Sequence, residues 1–136
     1  MGRPQQLALL AEAHGQVSQA EAGLAVLTEA LTVVEQTGER SYEAELHRLT
    51  GQLLLARSGA PHTEAEACFR RALDVARHQQ AKSWELRAAM SLSRLWQRQG
   101  KRHDARQVLA EVYGWFTEGF ETADLQEAKT LLVALR

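Results

Sequence analysis

Apolar residues recur along the chain at spacings of three and four, which is the periodicity of α-helices that bury one face. No stretch alternates apolar and polar residues for long, so strand signals are nearly absent. The pattern therefore predicts seven helices. Their approximate bounds are 4–14, 18–36, 41–57, 63–80, 83–99, 102–117 and 122–135.

Polar residues at three predicted starts favour helix caps. Thr63-Glu64-Ala65-Glu66 fits a capping box, in which a Thr and a Glu three residues later bond to each other's backbone amides. Ser41 and Ser83 each precede an aromatic residue and a glutamate, and a serine at this place often caps a helix. The two serine segments lie 42 residues apart, so the helices that follow them are predicted to be equivalent.

A repeat at longer range accompanies this periodicity. A small residue, a large apolar residue four positions later and a further apolar pair occur together three times, at offsets of 42 and 40 residues. The copies are Gly23-x3-Leu27-x2-Ala30-Leu31, Ala65-x3-Phe69-x2-Ala72-Leu73 and Ala105-x3-Leu109-x2-Val112-Tyr113. Recurrence at this length predicts stacked helical hairpins, because each unit leaves an apolar face that its neighbour covers. Leu27, Phe69 and Leu109 should then be equivalent and buried.

The residues within these helix pairs resemble the tetratricopeptide repeat. In the third unit the matching positions are Ala89, Leu92, Ser93, Trp96, Gly100, Ala105, Leu109 and Val112. The resemblance implies one all-α domain over residues 1–136, an α-α superhelix or solenoid of about three hairpins. The units would span about 3–38, 41–80 and 83–117, and a capping helix would span about 122–135. Its predicted buried stripe is Leu125, Ala128, Leu132 and Leu135.

A narrower resemblance covers most of the chain. Its segments are similar to the C-terminal repeat region of large bacterial signalling proteins, and they are Thr37-Gly38-Glu39-Arg40 with Glu43–Gly51, Val112–Phe120 and Ala123-Asp124-Leu125. Those proteins carry an adenylate or guanylate cyclase domain, or a transcription-factor-like region, ahead of a predicted signalling ATPase. The resemblance implies that this chain is the repeat region of a longer protein. It has no G-x4-G-K-[ST] phosphate loop, so no catalytic activity and no cofactor are expected.

Composition narrows the setting. The net charge is −1, which gives no general attraction to nucleic acid or anionic membranes. One cysteine excludes an intramolecular disulfide, and the first residues lack the apolar core of a signal peptide. The longest apolar runs, such as Leu53–Ala56, are too short to span a bilayer. A cytoplasmic location without membrane contact is therefore expected.

Side chains capable of chemistry are scattered. No histidine lies three or four residues from another histidine or from Cys68, as a metal site on a helix usually requires, so no metal is expected. Cys68 lies beside Phe69 without an evident base, and is interpreted as a packed thiol. Trp84 and Trp96 occupy apolar positions of the repeat, which favours packing over ligand stacking.

The candidate site is the concave face that the first helices of the hairpins would form. The resemblance places its ligand-facing positions at Gln5, Leu9 and Glu12 in the first unit, at Glu45, Arg48, Gln52 and Leu55 in the second, and at Arg87, Met90, Arg94, Gln97 and Arg98 in the third. The arginines of the third unit follow helical spacing, so they would form a ridge able to pair carboxylates or phosphates. The alternative is a solvated face neutralised by nearby glutamates.

These features predict a non-catalytic interaction module. Its partner would be a protein or peptide, acidic if the arginine ridge is the site, or upstream domains of the parent chain. The alternative is a nucleic-acid-binding helical domain that uses the basic segment 82–106, which carries a local charge of +5. The overall charge and the lack of a recognisable motif argue against nucleic acid. Trp115, Phe116 and Phe120 either seal the junction between the last two helices or form an apolar patch for self-association.

Overall fold

The computed structural model describes residues 20–38, 40–56 and 62–136. Six helices occupy them: α1 (Ala20–Thr37), α2 (Glu43–Ala56), α3 (His62–His78), α4 (Lys82–Arg98), α5 (Arg102–Tyr113) and α6 (Ala123–Ala134). Helices make up 81% of these residues, and none of them lies in a strand. The all-α prediction is confirmed. The predicted helix at 4–14 lies outside the described residues.

The largest error in a predicted boundary concerns α5, which ends at Tyr113 and not near Thr117. After Gly114 the backbone amides of Trp115 and Phe116 bond to carbonyls three residues back. This tightened turn ends the helix. The apolar run continues past the end because Phe116 packs against the core from the turn.

The predicted caps are wrong at two starts. Helix α3 begins at His62, so Thr63 lies inside its first turn, and Glu66 instead accepts a hydrogen bond from Trp96 Nε1 at 2.8 Å. Helix α4 follows Ala81, which has no side chain able to cap it, so Ser83 is not the cap. Both helices begin one residue before the predicted start, and the turn that ends α3 positions the start of α4.

The turns that end α3 and α4 share one geometry. At the end of α3, Gln80 has φ +55° and the amide of Ala81 bonds to the carbonyl of Ala76 at 2.8 Å. At the end of α4, Gly100 has φ +80° and the amide of Lys101 bonds to the carbonyl of Trp96 at 2.8 Å. Both are Schellman motifs, which need a left-handed residue after the helix. Glycine takes this conformation freely, whereas Gln80 takes it at a cost.

Consecutive helices are antiparallel. Near the end of α3, Arg77 contacts Glu85 at the start of α4, whereas Glu66 near the start of α3 contacts Trp96 near the end of α4. Helices α2 and α4 run parallel. Tyr42 just before α2 contacts Trp84 in the first turn of α4, with ring centroids 5.5 Å apart and planes tilted by 50°, and Leu55 near the end of α2 lies beside Arg98 at the end of α4.

The packing forms two layers. Helix α4 contacts both α2 and α6, whereas no Cα atom of α3 comes within 8 Å of α1 or α5. The α2–α4–α6 layer is therefore continuous, and α1, α3 and α5 lie against it. Helix α6, which the sequence predicts to be a cap, lies beside α4 as α4 lies beside α2.

The motif register is confirmed by burial. Leu27, Phe69 and Leu109 are at most 1% exposed. Two apolar clusters form the core, one between α1 and α2 and one among α3, α4, α5 and α6. In α6 the stripe residues Leu125, Ala128 and Leu135 are buried, and Leu132 is half-buried and packs against the core. Leu131, which the predicted stripe did not include, is buried as well.

Candidate functional site

The predicted partner-binding residues lie on neighbouring helices. Arg48, Gln52 and Leu55 belong to α2, and the third-unit set belongs to α4, which packs between α2 and α6. The first-unit candidates, Gln5, Leu9 and Glu12, lie outside the described residues. The structure therefore brings the second and third units into one surface, to which α6 adds side chains that the sequence analysis did not include.

Arg87 is not a free member of an arginine ridge. Its Nη1 lies 2.7 Å from Glu45 Oε2 on α2, and its Nε lies 3.0 Å from Asp124 Oδ2 on α6. Glu45 also accepts two hydrogen bonds from Arg48, at 2.6 and 2.9 Å. These four residues form a line of alternating charge across the layer. They connect its three helices, so Arg87 and Arg48 are committed to the fold.

The electrostatics of Glu45 agree with this structural role. Burial, the largest single influence, raises the pKa of its carboxyl group, but the hydrogen bonds and charges of Arg48 and Arg87 together lower this pKa by more than burial raises it. The net pKa lies below the ordinary value of 4.5. Glu45 is therefore ionised at neutral pH although it is buried, because two guanidinium groups replace its lost hydration.

Met90 also departs from the predicted site. Its side chain is 3% exposed and belongs to the core cluster of α3, α4, α5 and α6. A residue so buried contributes packing and cannot contact a ligand at the surface. Four of the remaining candidates, Gln52, Arg94, Gln97 and Arg98, are exposed, and Leu55 is half-buried.

Most of these accessible residues surround one recess. The Leu55 recess, between the C-terminal halves of α2 and α4, has a volume of about 320 Å³. Its lining is Gln52, Leu55, Ala56, Phe69, Ser91, Arg94, Leu95 and Arg98. The apolar members provide a floor for an apolar side chain, and the polar members provide hydrogen-bonding groups at the rim.

A second recess lies on the other side of Arg94. The Thr130 recess, between α4 and α6, has a volume of about 550 Å³. It is lined by Arg94, Gln97, Ala123, Gln126, Glu127, Thr130, Leu131 and Ala134. Periodicity could not reveal it, because it exists only where α6 packs beside α4.

The two arginines at these recesses are loosely held. Arg94 Nη2 lies 3.4 Å from Glu127 Oε2, and both side chains are about half exposed, so the pair is weak. Within the described part of the chain, Arg98 has no carboxylate within 4.0 Å. Arg94 and Arg98 are one helical turn apart and face the same side of α4. They are the two cations of the predicted ridge that a ligand can reach.

The basic segment 82–106 is less available than its local charge suggests. Lys82 lies 3.6 Å from the centroid of the Trp115 ring, and Arg87 is held by two carboxylates. Arg102 donates hydrogen bonds to the carbonyls of Ala134 and Leu135 at the end of α6. Three of its seven cations are therefore held by structural partners, and a fourth, Arg94, forms the weak pair with Glu127.

The other side chains capable of chemistry take structural places. Cys68 is half-buried, and burial, with a smaller contribution from Glu64, raises the pKa of its thiol, so it is protonated at neutral pH. Trp84 donates from Nε1 to the carbonyl of Ser41 at 3.2 Å. Residues 20–38, 40–56 and 62–136 contain no group of three His, Cys, Asp or Glu side chains placed to hold a metal.

The aromatic segment after α5 divides between two roles. Tyr113 and Phe116 pack against the core, and the ring centroids of Tyr113 and Phe120 lie 5.8 Å apart. Trp115 and Phe120 remain 62% and 42% exposed. The segment thus covers the α5–α6 junction and also presents two apolar side chains at the surface.

Comparison of the chain with protein-family models finds no match, and comparison with curated proteins finds no significant one. Among the helices described above, none is long and apolar enough to cross a membrane. The geometry of the α2–α4–α6 layer therefore carries the functional argument.

Proposed function

We propose that this chain is a non-catalytic interaction module, a tetratricopeptide-like helical repeat that binds an acidic protein or peptide segment. The segment belongs to another cytoplasmic protein or to an upstream domain of a signalling polypeptide. One observation carries the proposal. Arg94, which lines both recesses of the layer formed by α2, α4 and α6, and Arg98, which lines the Leu55 recess, are not firmly paired within the described residues.

The chemistry of the recesses specifies the ligand. An apolar side chain fits above Leu55 and Leu95, because the floor of the Leu55 recess is apolar. A carboxylate next to it on the ligand can accept hydrogen bonds from Arg98 and displace Glu127 from Arg94. Arginine is suited to this role because its guanidinium group can donate two parallel hydrogen bonds to one carboxylate.

The repeat architecture supports the same proposal. The 42- and 40-residue offsets, the antiparallel neighbours and the contacts of α4 with α2 and α6 are the features expected of stacked hairpins. Stacked hairpins create extended surfaces from side chains of successive units, which suits binding better than catalysis. Nucleic acid is the weaker candidate, because Lys82, Arg87 and Arg102 already have internal partners.

The test compares charge reversal at the site with charge reversal elsewhere. The wild-type chain, the variant Arg94→Glu/Arg98→Glu and the control Arg71→Glu/Arg106→Glu serve as baits in affinity purification from the native cytoplasm. The control makes the same change in net charge at exposed positions on α3 and α5. We expect the site variant to lose partners that both the wild-type chain and the control retain, since reversed charge repels an acidic segment.

Three outcomes separate the alternatives. Melting temperatures of both variants should lie near that of the wild-type chain, because exposed substitutions change stability by about 0.5 kcal/mol or less. Recovery of the same proteins in equal yield by the site variant contradicts the proposal. Fluorescence anisotropy with single- and double-stranded DNA at two salt concentrations tests the alternative, since binding through phosphates weakens steeply with salt.

A further inference from the structure

A groove of about 480 Å³ lies on a different side of α4, between α3 and α5. It is open because no Cα atoms of α3 and α5 approach within 8 Å, so α4 forms its floor. Leu92 and Trp96 of α4 and Val108 of α5 are among the apolar residues that line it. Trp96 and Val108 are only half-buried. The α3–α5 groove therefore presents a strip of accessible apolar surface.

The arginines on the α3 wall of this groove are paired within the chain. Arg70 Nε lies 3.3 Å from Glu66 Oε2, and its guanidinium group lies 5.3 Å from the centroid of the Trp96 ring. Arg77 Nε lies 3.2 Å from Glu85 Oε2. The carboxylates Glu66 and Glu85 are only 25% and 4% exposed, against 58% for Glu127, so these two arginines are held more firmly than Arg94. The positive charges of this wall are thus largely compensated within the chain.

The carboxylates of the groove are not compensated in this way. Asp74 on α3, and Asp104 and Glu111 on α5, form no ion pair within the described residues. Lys101 is the one lining cation without an ion-pair partner there. The lining contains three cationic and three anionic side chains, so its formal charge is zero. When the two arginines that are paired within the chain are left out, three carboxylates and one lysine remain. The effective charge of the groove is therefore negative.

The spacing of the wall carboxylates suits one kind of partner. Asp104 and Glu111 are seven residues apart, so they lie two turns apart on one side of α5, separated by about 10.5 Å along its axis. A helix with basic residues at positions i and i+7 presents cations at the same interval. Its apolar stripe would then lie over Trp96 and Val108.

We propose that the α3–α5 groove binds an amphipathic helix of a partner protein that carries basic residues at i and i+7 beside an apolar stripe. A second copy of this chain fits less well. Among the described helices, α3 carries Arg70 and Arg77 at this spacing and α4 carries Arg87 and Arg94. In both pairs at least one arginine is held by a carboxylate of its own chain, Arg77 by Glu85 and Arg87 by Glu45 and Asp124.

The test uses designed peptides and the whole chain. The probe is a fluorescein-labelled 14-residue peptide of Lys, Leu, Ala and Gln, with Lys at positions 4 and 11 and Leu at positions 1, 5, 8 and 12. One control peptide has the same composition in shuffled order, and another has Glu at both Lys positions. Fluorescence anisotropy measures binding. We expect the probe to bind and both controls to bind at least about tenfold more weakly. Only the probe combines an apolar stripe for the apolar surface of the groove with two lysines placed to meet its carboxylates.

Variants of the protein locate the site. Asp104→Asn/Glu111→Gln should weaken probe binding about tenfold, as the loss of two partly exposed ion pairs predicts. The control Glu118→Gln/Glu121→Gln makes the same charge change at exposed residues outside the groove and should bind like the wild-type chain. Binding of the probe should also shift the NMR resonance of the Trp96 indole N–H, which the variant Trp96→Phe identifies.

Several results would overturn the proposal. They are an absence of probe binding, equal affinity for the shuffled peptide, and equal losses in both carboxylate variants. Loss of probe binding in Arg94→Glu/Arg98→Glu would place the peptide on the α2–α4–α6 layer and would also contradict it. Because the acidic-segment site is tested by other variants and another ligand, either proposal can fail without the other.

Discussion

The contact between Gly51 and Phe69 offers a sharp test of the hairpin packing. A methyl group at position 51 would lie 2.6 Å from Phe69 Cε1 and 2.8 Å from Phe69 Cδ1, closer than carbon atoms can approach. It would also lie 3.1 Å from the carbonyl oxygen of Ala65. The Phe69 ring is 1% exposed and belongs to the core, so Gly51→Ala must displace either the ring or the two helices.

The magnitude follows from two opposing effects. Overpacking a core typically costs about 1–3 kcal/mol. Alanine in place of glycine inside a helix gains about 1 kcal/mol. Gly51→Ala should therefore lower the free energy of unfolding by up to about 2 kcal/mol. Phe69→Ala should lower it by about 3–5 kcal/mol, through lost burial and the cavity that remains.

In the Phe69→Ala background, the effect of Gly51→Ala on the free energy of unfolding should change from destabilising to stabilising. Once the Phe69 ring is gone, the new methyl group meets only the Ala65 carbonyl oxygen, at 3.1 Å. A shift of a few tenths of an ångström relieves that contact, so most of the helix-propensity gain remains. In the Phe69→Ala background, Gly51→Ala should thus raise stability by about 1 kcal/mol. The coupling energy between the two positions should be about 1–3 kcal/mol.

The assay is urea unfolding of the four chains followed by circular dichroism at 222 nm. If Phe69→Ala is too unstable to fold, Phe69→Val replaces it, because valine also lacks the ring atoms. Additive free energies, or a stabilising Gly51→Ala in the wild-type background, would refute the close approach of α2 to α3. A Phe69→Ala chain that melts like the wild type would refute the motif register.

The remaining predictions concern single residues. Gln80→Gly should stabilise the chain by about 0.5–1 kcal/mol because it relieves a left-handed non-glycine residue, whereas Gly100→Ala at the equivalent turn should destabilise it by about 1 kcal/mol; thermal melting measures both. Arg87→Met should lower the free energy of unfolding by about 1–2 kcal/mol. The loss is smaller than when a fully buried ion pair is broken, because Arg48 still pairs with Glu45. Because the pKa of Glu45 is lowered in the folded state, ionised Glu45 stabilises the fold above about pH 4.5, its ordinary pKa, and this stability is lost as pH falls through the folded pKa. Unfolding measured across pH 3–7 should therefore show a smaller loss of stability at low pH in Arg87→Met than in the wild-type chain.

The repeat was readable from sequence because it depends on volume and periodicity. Leu27, Phe69 and Leu109 are buried at equivalent positions since a stacked hairpin needs one large apolar residue between its helices. Helix ends were less readable. Thr63 and Ser83 have cap-forming side chains, yet backbone hydrogen bonds in the preceding turn position the start of α4. Rules based on the capping side chain alone do not predict such a helix start, because it depends on the backbone geometry of the turn that ends the preceding helix.

The candidate site was only partly predictable for a related reason. Helical spacing placed Arg87, Arg94 and Arg98 together on α4, but spacing says nothing about which carboxylate each arginine meets. Asp124 and Glu127, which contact Arg87 and Arg94, lie more than thirty residues away in sequence. Their position depends on where α6 packs.

Counting charges by segment therefore misjudges both surfaces of this chain. The segment 82–106 reads as strongly basic, yet much of that charge connects helices, and the cations left for a ligand on the α2–α4–α6 layer are Arg94 and Arg98. The α3–α5 groove reads as neutral, yet its arginines are paired and its carboxylates are not. Subtracting internal pairs gives the two surfaces opposite effective charge. A basic helix and an acidic segment could thus bind at the same time, since the two surfaces lie on different sides of α4.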